Sequence, residues 1–270
     1  MEFKVLDKGL VKLIDFMGTD TDIVDAARVS YEPSMHKSSD EGLIRYLYRH
    51  KHTTPFEMCE VKLYLKMPVF VARQWIRHRT ANINEYSGRY SVIKDEFYIP
   101  PTIRSQSKSN KQGSGDVIDP ETFLLKLLEE WNDTPELAFE QYNHLLEYDV
   151  AREQARIHLP LSMYTEFYWK VDLHNLLHFL KLRTDPHAQE EIRVFANAIE
   201  EIVQHLYPMA HKAWTDYSKL AYNLSRMELQ ILQDQLNWNP DTIKAFERRV
   251  NNSQEMSERE KKDFLARMVR

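Results

Sequence analysis

One cysteine, Cys59, stands in a chain of 270 residues. No intrachain disulfide can form, and a cysteine-rich zinc module is excluded. A lone thiol also suits a reducing compartment. Glycine is nearly as scarce, with 6 residues where about 7% of a chain is usual. Neither GxGxxG nor GxxxxGK followed by Ser or Thr occurs. A Rossmann or P-loop phosphate cradle is therefore not expected. Any phosphate must be met by side-chain cations and helix N-termini instead. No run approaches the ~18 consecutive apolar residues of a membrane span. The start, MEFKVLDKG, lacks an apolar signal core, so the reading is a cytoplasmic protein that meets no membrane. Nor does one sign of charge dominate: 36 basic and 41 acidic residues leave a net charge of -5. That balance argues against a general nucleic-acid binder.

Apolar residues make up 43% of the chain, and 12 Phe, 14 Tyr and 5 Trp are among them. Disordered chains lack such aromatics. A globule of this length hides roughly 70–75% of its unfolded surface, enough for a core without staples.

Periodicity outlines the elements. Residues 3–6 and 11–14 around Asp7-Lys8-Gly9 predict a hairpin, and residues 22–29 a helix. Ser38 and Glu41 form a capping-box pattern before residues 42–48, a helix ending at Arg49-His50-Lys51-His52. Thr54-Pro55 reads as a further cap and first turn. Val61, Leu63, Leu65 and Met67 alternate with polar residues as in a half-buried strand. Residues 69–77 predict a helix, with Arg73 and Arg77 four apart on one face, and 82–89 a loop. The polar stretch 105–115 (SQSKSNKQGSG) predicts a loop or disordered segment. Helices follow over 121–131 and 136–157. Residues 165–171 predict an aromatic strand, after which Asp172 caps a helix over 173–182. Asp185-Pro186 opens the next, to about residue 206, and the remainder reads as helical and charged. The class is α+β in one domain, with a helical C-terminal appendage.

The chemistry concentrates in RHRTANINEYSGRY, residues 77–90. Its three Arg against one Glu give a local charge of +2 in an acidic protein. Guanidinium forks suit phosphate. Glu85, Ser87, Asn82 and Asn84 offer directional bonds to sugar hydroxyls or base edges, and Gly88 permits close backbone approach. From charge alone, a solvated basic helix end is an equal reading.

This segment resembles the signature of the flavin-dependent thymidylate synthases (ThyX), RHR followed by seven residues and Ser. AARVSY (26–31), KHTTPFE (51–57), VARQWIRHR (71–79), EFYIP (96–100) and LRTDPHAQ (182–189) resemble the same family, in its order, over roughly residues 1–225. Residues 226–270 remain a helical extension of unknown role. The resemblance implies a ThyX-type fold, a central sheet packed with helices, in a cytoplasmic homotetramer with shared active sites. It implies reductive methylation of dUMP to dTMP, with methylenetetrahydrofolate as carbon donor and NADPH as reductant through FAD. The FAD contacts it implies are Ser30, Thr54, Glu57, Arg77, His78, Arg79, Asn84, Glu85, His178 and His187. For dUMP they are Gln74, Arg77, Glu85, Tyr86 through its backbone, Ser87, Gly88, Arg89, Arg156 and Arg183. His52 and Tyr90 would face folate and nicotinamide. Catalytic roles fall to Arg183, Ser87 and His52: Arg183 stabilises charge developing on the uracil carbonyls, and Ser87, with no base beside it, orients rather than attacks. No metal is implied. Asp172, His174 and His178 stand where some relatives carry Asn or Arg.

Other readings compete. Cys59 could be a nucleophile, though a lone cysteine at a strand entry reads better as a small buried hydrophobe. His174 and His178, four apart, could bind zinc in a hydrolase, but Asn175 stands where a metalloprotease has Glu. The Arg motif and charged tail could serve an RNA-binding adaptor, which the acidic total disfavours. Glu190, Glu191, Glu200 and Glu201 read as a solvated face. Tyr164, Phe167, Tyr168 and Trp169 read as core or interface.

Overall fold

The computed structural model describes residues 1–29, 39–108, 113–119 and 122–268. It forms two compact units, one joining Met1–Val29 to Thr53–Pro208 and the other joining Ser30–His52 to Met209–Arg270. The strands are β1 (Glu2–Val5), β2 (Gly9–Met17), β3 (Glu60–Pro68), β4 (Asn82–Glu85), β5 (Arg104–Gln106), β6 (Ser114–Val117) and β7 (Tyr164–Asp172). The helices are α1 (Asp20–Arg28), α2 (Asp40–Arg49), α3 (Thr54–Glu57), α4 (Val69–Trp75), α5 (Thr122–Glu147), α6 (Arg152–Ala155), α7 (Leu173–Arg183), α8 (Glu190–Leu206), α9 (Pro208–Trp214), α10 (Arg226–Gln235), α11 (Pro240–Asn251) and α12 (Glu258–Met268).

The first unit is built on an antiparallel sheet in the order β1-β2-β3-β7-β4. Alternation in β3 sets its faces. Val61, Leu63, Leu65 and Met67 are buried and stand opposite Val171, Trp169, Phe167 and Thr165 of β7. Helices α4, α7 and α8 pack on the sheet. Trp75 of α4 meets Trp169 edge-on at 5.2 Å, Phe179 of α7 at 4.4 Å and Phe195 of α8 at 6.4 Å. Each such side chain contributes about 1.5–3 kcal/mol by leaving water. The other face is polar: the Tyr64 hydroxyl donates to Glu166 at 2.5 Å, and Lys170 donates to Glu60 at 2.8 Å. The aromatic run therefore divides, with Tyr164, Phe167 and Trp169 buried and Tyr168 exposed.

A smaller core lies on α5. Phe139 and Tyr142 are buried there, with Leu145 and Leu146 beside them, a spacing that lines one helical face. They pack with Ile93, Phe97 and Ala155, and the Tyr142 hydroxyl accepts the Ile93 N–H at 3.0 Å.

Several boundaries differ from the sequence reading. The expected loop over 82–89 begins as strand β4, added at the edge of β7 with Asn84 opposite Tyr168. Its four residues are exposed, so its backbone bonds rather than side-chain burial make it a strand. The expected 105–115 loop contributes to a two-stranded ladder of β5 and β6. Residues 121–131 and 136–157 are not two helices: α5 runs to Glu147 through Pro135. Thr134 there donates its hydroxyl to the Glu130 carbonyl at 2.9 Å. Helix α8 begins at Glu190, not at Asp185-Pro186, because the Asp185 carboxylate accepts the His187 N–H at 2.8 Å and closes a separate turn. Glu191 is buried, not solvated, and accepts from Arg104.

In the second unit the cap of α2 is Ser39, whose Oγ accepts the Gly42 N–H at 3.2 Å. Ser38 lies outside the described residues. Helices α10 and α11 open on capping boxes at Ser225 and Asn239. Phe246 of α11 packs with Trp238 at 5.2 Å and with Phe264 of α12 at 5.5 Å. The tail is not wholly a surface helix, since Glu260 and Lys261 are buried.

Candidate functional site

In the first unit β4 divides the 77–90 segment into two neighbourhoods. Before it lies the end of α4, anchored by the buried Trp75. The two arginines that follow differ from the histidine between them. Arg77 and Arg79 are exposed, and among the described residues their side chains have no hydrogen-bonding or ionic partner. His78 packs edge-on against Phe179 at 4.8 Å, with His178 6.4 Å away. Arg183, at the end of α7, donates its Nε–H to His78 Nε2 at 3.0 Å. An imidazole that accepts at Nε2 is neutral and carries its proton on Nδ1. Burial, then the Arg183 and His178 charges, push its pKa from 6.5 down to about 4. Burial also lowers the Arg183 pKa. Gln74 donates to Gln189, ahead of α8.

Beyond β4 lies a cleft of about 310 Å³, lined by Glu85, Tyr86, Ser87, Gly88, Arg89, Ile93, Arg156, Met163, Tyr164 and Thr165. Six of the residues expected to bind dUMP thus meet in one place. Thr165 donates its hydroxyl to Glu85 at 2.6 Å, which fixes that carboxylate. The Tyr86 N–H is committed to the Glu166 carbonyl at 2.8 Å. A backbone contact from Tyr86 therefore falls to its carbonyl. Arg89 lies 3.3 Å from Glu153, and Arg152 donates to the Tyr90 carbonyl at 3.0 Å. Gly88 is buried. A Cβ there would meet Ile93 Cδ1 at 2.6 Å and Cγ1 at 2.8 Å. Ile93 packing therefore calls for a residue without a Cβ at this position, which also lines the cleft.

Gln74, Arg77 and Arg183 do not line this cleft; Arg183 belongs with His78. Asn84 is exposed on β4 between the two neighbourhoods. Thr54 is exposed and Glu57 half-buried on α3, which packs against α1 and α7. His178 is exposed on α7. His187 is exposed, its Nδ1 2.8 Å from Asp185. The Asp172 carboxylate caps α7 by accepting the Asn175 N–H at 2.9 Å. Ser30 lies outside the described residues. His52 belongs to the second unit, where its N–H donates to the Leu47 carbonyl at 2.9 Å.

Sequence reasoning missed Thr165, Arg152 and Glu153. Arg152 lies four residues before Arg156, a spacing that could have marked it; Thr165 gave no signal beyond its place in a strand. Cys59 is fully buried, and burial, with Asp22 and Asp20 nearby, pushes its thiol up to about 12. Such a thiol is a poor nucleophile at neutral pH. Among the described residues no three His, Cys, Asp or Glu side chains gather as a metal site, and no helix is long and apolar enough to cross a membrane.

The profile of the family described as Thy1, thymidylate synthase complementing protein, matches residues 12–209. The chain is 51% identical over 235 residues to the flavin-dependent thymidylate synthase of Wolbachia pipientis wMel, covering 86% of this chain and 82% of that protein. It is 49% identical over 243 residues to the enzyme of the same name from Dictyostelium discoideum, covering 86% and 80%. A crystal structure of the UMP/dUMP methylase PolB from Streptomyces cacaoi, bound with 5-Br UMP, superposes with a TM-score of 0.70. It is 33% identical and covers 81% of this chain and 99% of that one.

Proposed function

The chain belongs to the flavin-dependent thymidylate synthases, and on that premise we propose how its own residues serve the reaction. It is an FAD-dependent methyltransferase that makes dTMP from dUMP. Methylenetetrahydrofolate supplies the carbon and NADPH the electrons, in a cytoplasmic enzyme. The observation that carries the reading is the pair of neighbourhoods at the two ends of β4, each furnished with guanidinium groups.

The donor set before β4 suits FAD. Arg77 and Arg79, exposed and without partners among the described residues, offer two forks to a diphosphate. A chain so poor in glycine offers no loop to do it instead. Thr54, Glu57, His78, Asn84, Glu85, His178 and His187 complete the proposed FAD set, with Ser30 from outside the described residues. Bound FAD supplies hydride transfer. The cleft beyond β4 takes dUMP: Arg89 and Arg156 meet the phosphate, and Ser87 and the Tyr86 carbonyl orient the nucleoside. Glu85, held by Thr165, can accept from a hydroxyl or ring N–H.

Arg183 is proposed to meet the negative charge that reaches the uracil carbonyls when hydride arrives. Such a donor stabilises the transition state more than the ground state if it is fixed beforehand. His78 does that fixing, since its neutral Nε2 holds the Arg183 Nε–H. The Ser87 Oγ accepts the Arg89 N–H at 3.4 Å, the Glu85 carboxylate is engaged by Thr165, and among the described residues no base hydrogen-bonds the Ser87 hydroxyl, so it is proposed to position dUMP rather than attack it. His52 and Tyr90 are assigned to the folate and nicotinamide face. The dUMP set lies partly in the cleft and partly with His78, so one copy does not gather it in a single cleft. That division supports active sites shared between copies in a homotetramer. Residues 226–270 are proposed as an extension beyond the catalytic domain.

The test is anaerobic. Mixing the yellow protein with NADPH should bleach the flavin, and dUMP should change the bleaching rate. Purified protein that retains neither FAD nor dUMP would overturn the assignment of these residues.

A further inference from the structure

The family profile ends at residue 209, yet α12 grips the end of α2 in the second unit through buried charges. Glu260 is 6% exposed. It accepts the Arg45 Nε–H at 2.8 Å and the Tyr217 hydroxyl. Its burial raises the carboxyl pKa, but bonds from Tyr217, Ser257 and Arg45 outweigh that and hold it at about 2. Asp263 accepts from Arg49 and lies 3.1 Å from His50 Nε2. The Arg259 guanidinium sits 3.4 Å over the centre of the Tyr46 ring, a cation–π contact. That ring in turn meets His50 at 4.3 Å and His52 at 5.8 Å.

The gripped segment is a strained turn. After α2 ends at Arg49, the Lys51 N–H donates to the Tyr48 carbonyl at 3.2 Å and the His52 N–H to Leu47 at 2.9 Å. This pair of bonds is the Schellman pattern, whose left-handed position is usually glycine. Here Lys51 occupies it at φ +61°. A side chain in that conformation persists only when its surroundings impose it. Those surroundings include Arg259 through Tyr46 and Asp263 through Arg49 and His50.

We propose that α12 is a brace for the histidine turn, with Arg259 and Asp263 as positioning residues that set the direction of His52 and Glu260 as the anchor of the helix. The proposal rests on the reading of His52 as a group at the folate face. It makes the segment outside the family profile part of how the enzyme takes its carbon donor.

The test uses the full chain loaded with FAD, comparing Asp263→Asn, Arg259→Met, their combination, Asp263→Glu, His52→Ala, and Asp263→Asn together with His52→Ala. Amide hydrogen exchange at Lys51 and His52 reads the turn. The KM for methylenetetrahydrofolate, kcat and dUMP affinity read its consequence. Loss of a charge-assisted bond should speed exchange at His52 about tenfold and raise the folate KM by a similar factor. The dUMP affinity should stay unchanged, Asp263→Glu should restore part of the loss, and Asp263→Asn should add little to His52→Ala. Unchanged exchange in both single variants overturns the brace, as does a folate effect that adds in full to His52→Ala. Faster exchange with a kinetically silent His52→Ala would uphold the brace of the turn and overturn the folate role of His52 instead.

Discussion

Acidification is expected to weaken the first unit through His78. Folded, the imidazole titrates at about 4, because burial and then the Arg183 and His178 charges oppose its protonation; the unfolded chain titrates near 6.5. Between those values the unfolded state binds a proton that the folded state refuses. Stability from this group is therefore complete above about pH 6.5 and is lost as pH falls toward 4. At 1.36 kcal/mol per pH unit the gap sets a ceiling of about 3 kcal/mol. His78 is only half-buried, and solvent screening brings the expected loss to about 1–2 kcal/mol. The reference is His78→Gln, whose amide oxygen can still accept from Arg183 but does not titrate. Urea midpoints for both proteins, at equal concentration and with FAD absent, should converge between about pH 7.5 and 4.5. Titration of Glu260 and the other carboxylates is common to both and drops out of the difference. Parallel profiles, or a His78 imidazole that titrates near 6.5 in the folded protein, would refute the placement of a neutral His78 against Arg183.

Three further outcomes follow from the site. Gly88→Ala drives a Cβ into Ile93 and should cost about 1–3 kcal/mol; Gly88→Ala with Ile93→Val should recover part of it in thermal melts, and full stability of the single variant would remove the packing explanation. Arg183→Ala should lower turnover roughly 100-fold or more, as for a lost oxyanion donor, whereas Ser87→Ala should keep measurable turnover; single-turnover rates at saturating dUMP separate the two, and complete loss in Ser87→Ala with dUMP still bound would contradict its orienting role. Asp172→Ala removes the cap of α7 and should destabilise the protein by about 1 kcal/mol, read as a lower melting temperature that Asp172→Asn largely restores.

The sheet was legible wherever burial follows a period of two. Val61 to Met67 announced β3, and the aromatic strand announced β7, because each has one face in the core. β4 was not legible. Asn82–Glu85 has no buried residue, and what makes it a strand is the free edge of β7, more than 80 residues away in sequence. The fusion of two expected helices into α5 has a similar origin. Pro135 locally favours a break, but the helix continues beyond it to the face of Phe139 and Tyr142 that builds the smaller core. Local preference was overruled in both places by a partner that a linear reading cannot supply.

The chemistry of the site was more legible than its geometry. Arginine-rich residues 77–89 in an acidic, glycine-poor chain point to anions held by side chains, and Arg77 and Arg79, without partners among the described residues, keep that reading. Hidden from the sequence was the division of labour within RHR. Three adjacent cationic letters suggest three similar groups, but they lie in the turn that follows α4, past its last residue Trp75, where the middle one packs inward against Phe179 while its neighbours stay exposed. There it meets Arg183, loses its charge to burial and becomes an acceptor. A histidine that stays neutral can orient an arginine without competing for the anion, which an arginine or lysine in its place could not do. On the proposed function, the same reasoning would account for Arg183 being set apart from the cleft that holds Arg89 and Arg156: those two would hold a fixed negative charge, whereas Arg183 would meet one that appears only during the reaction.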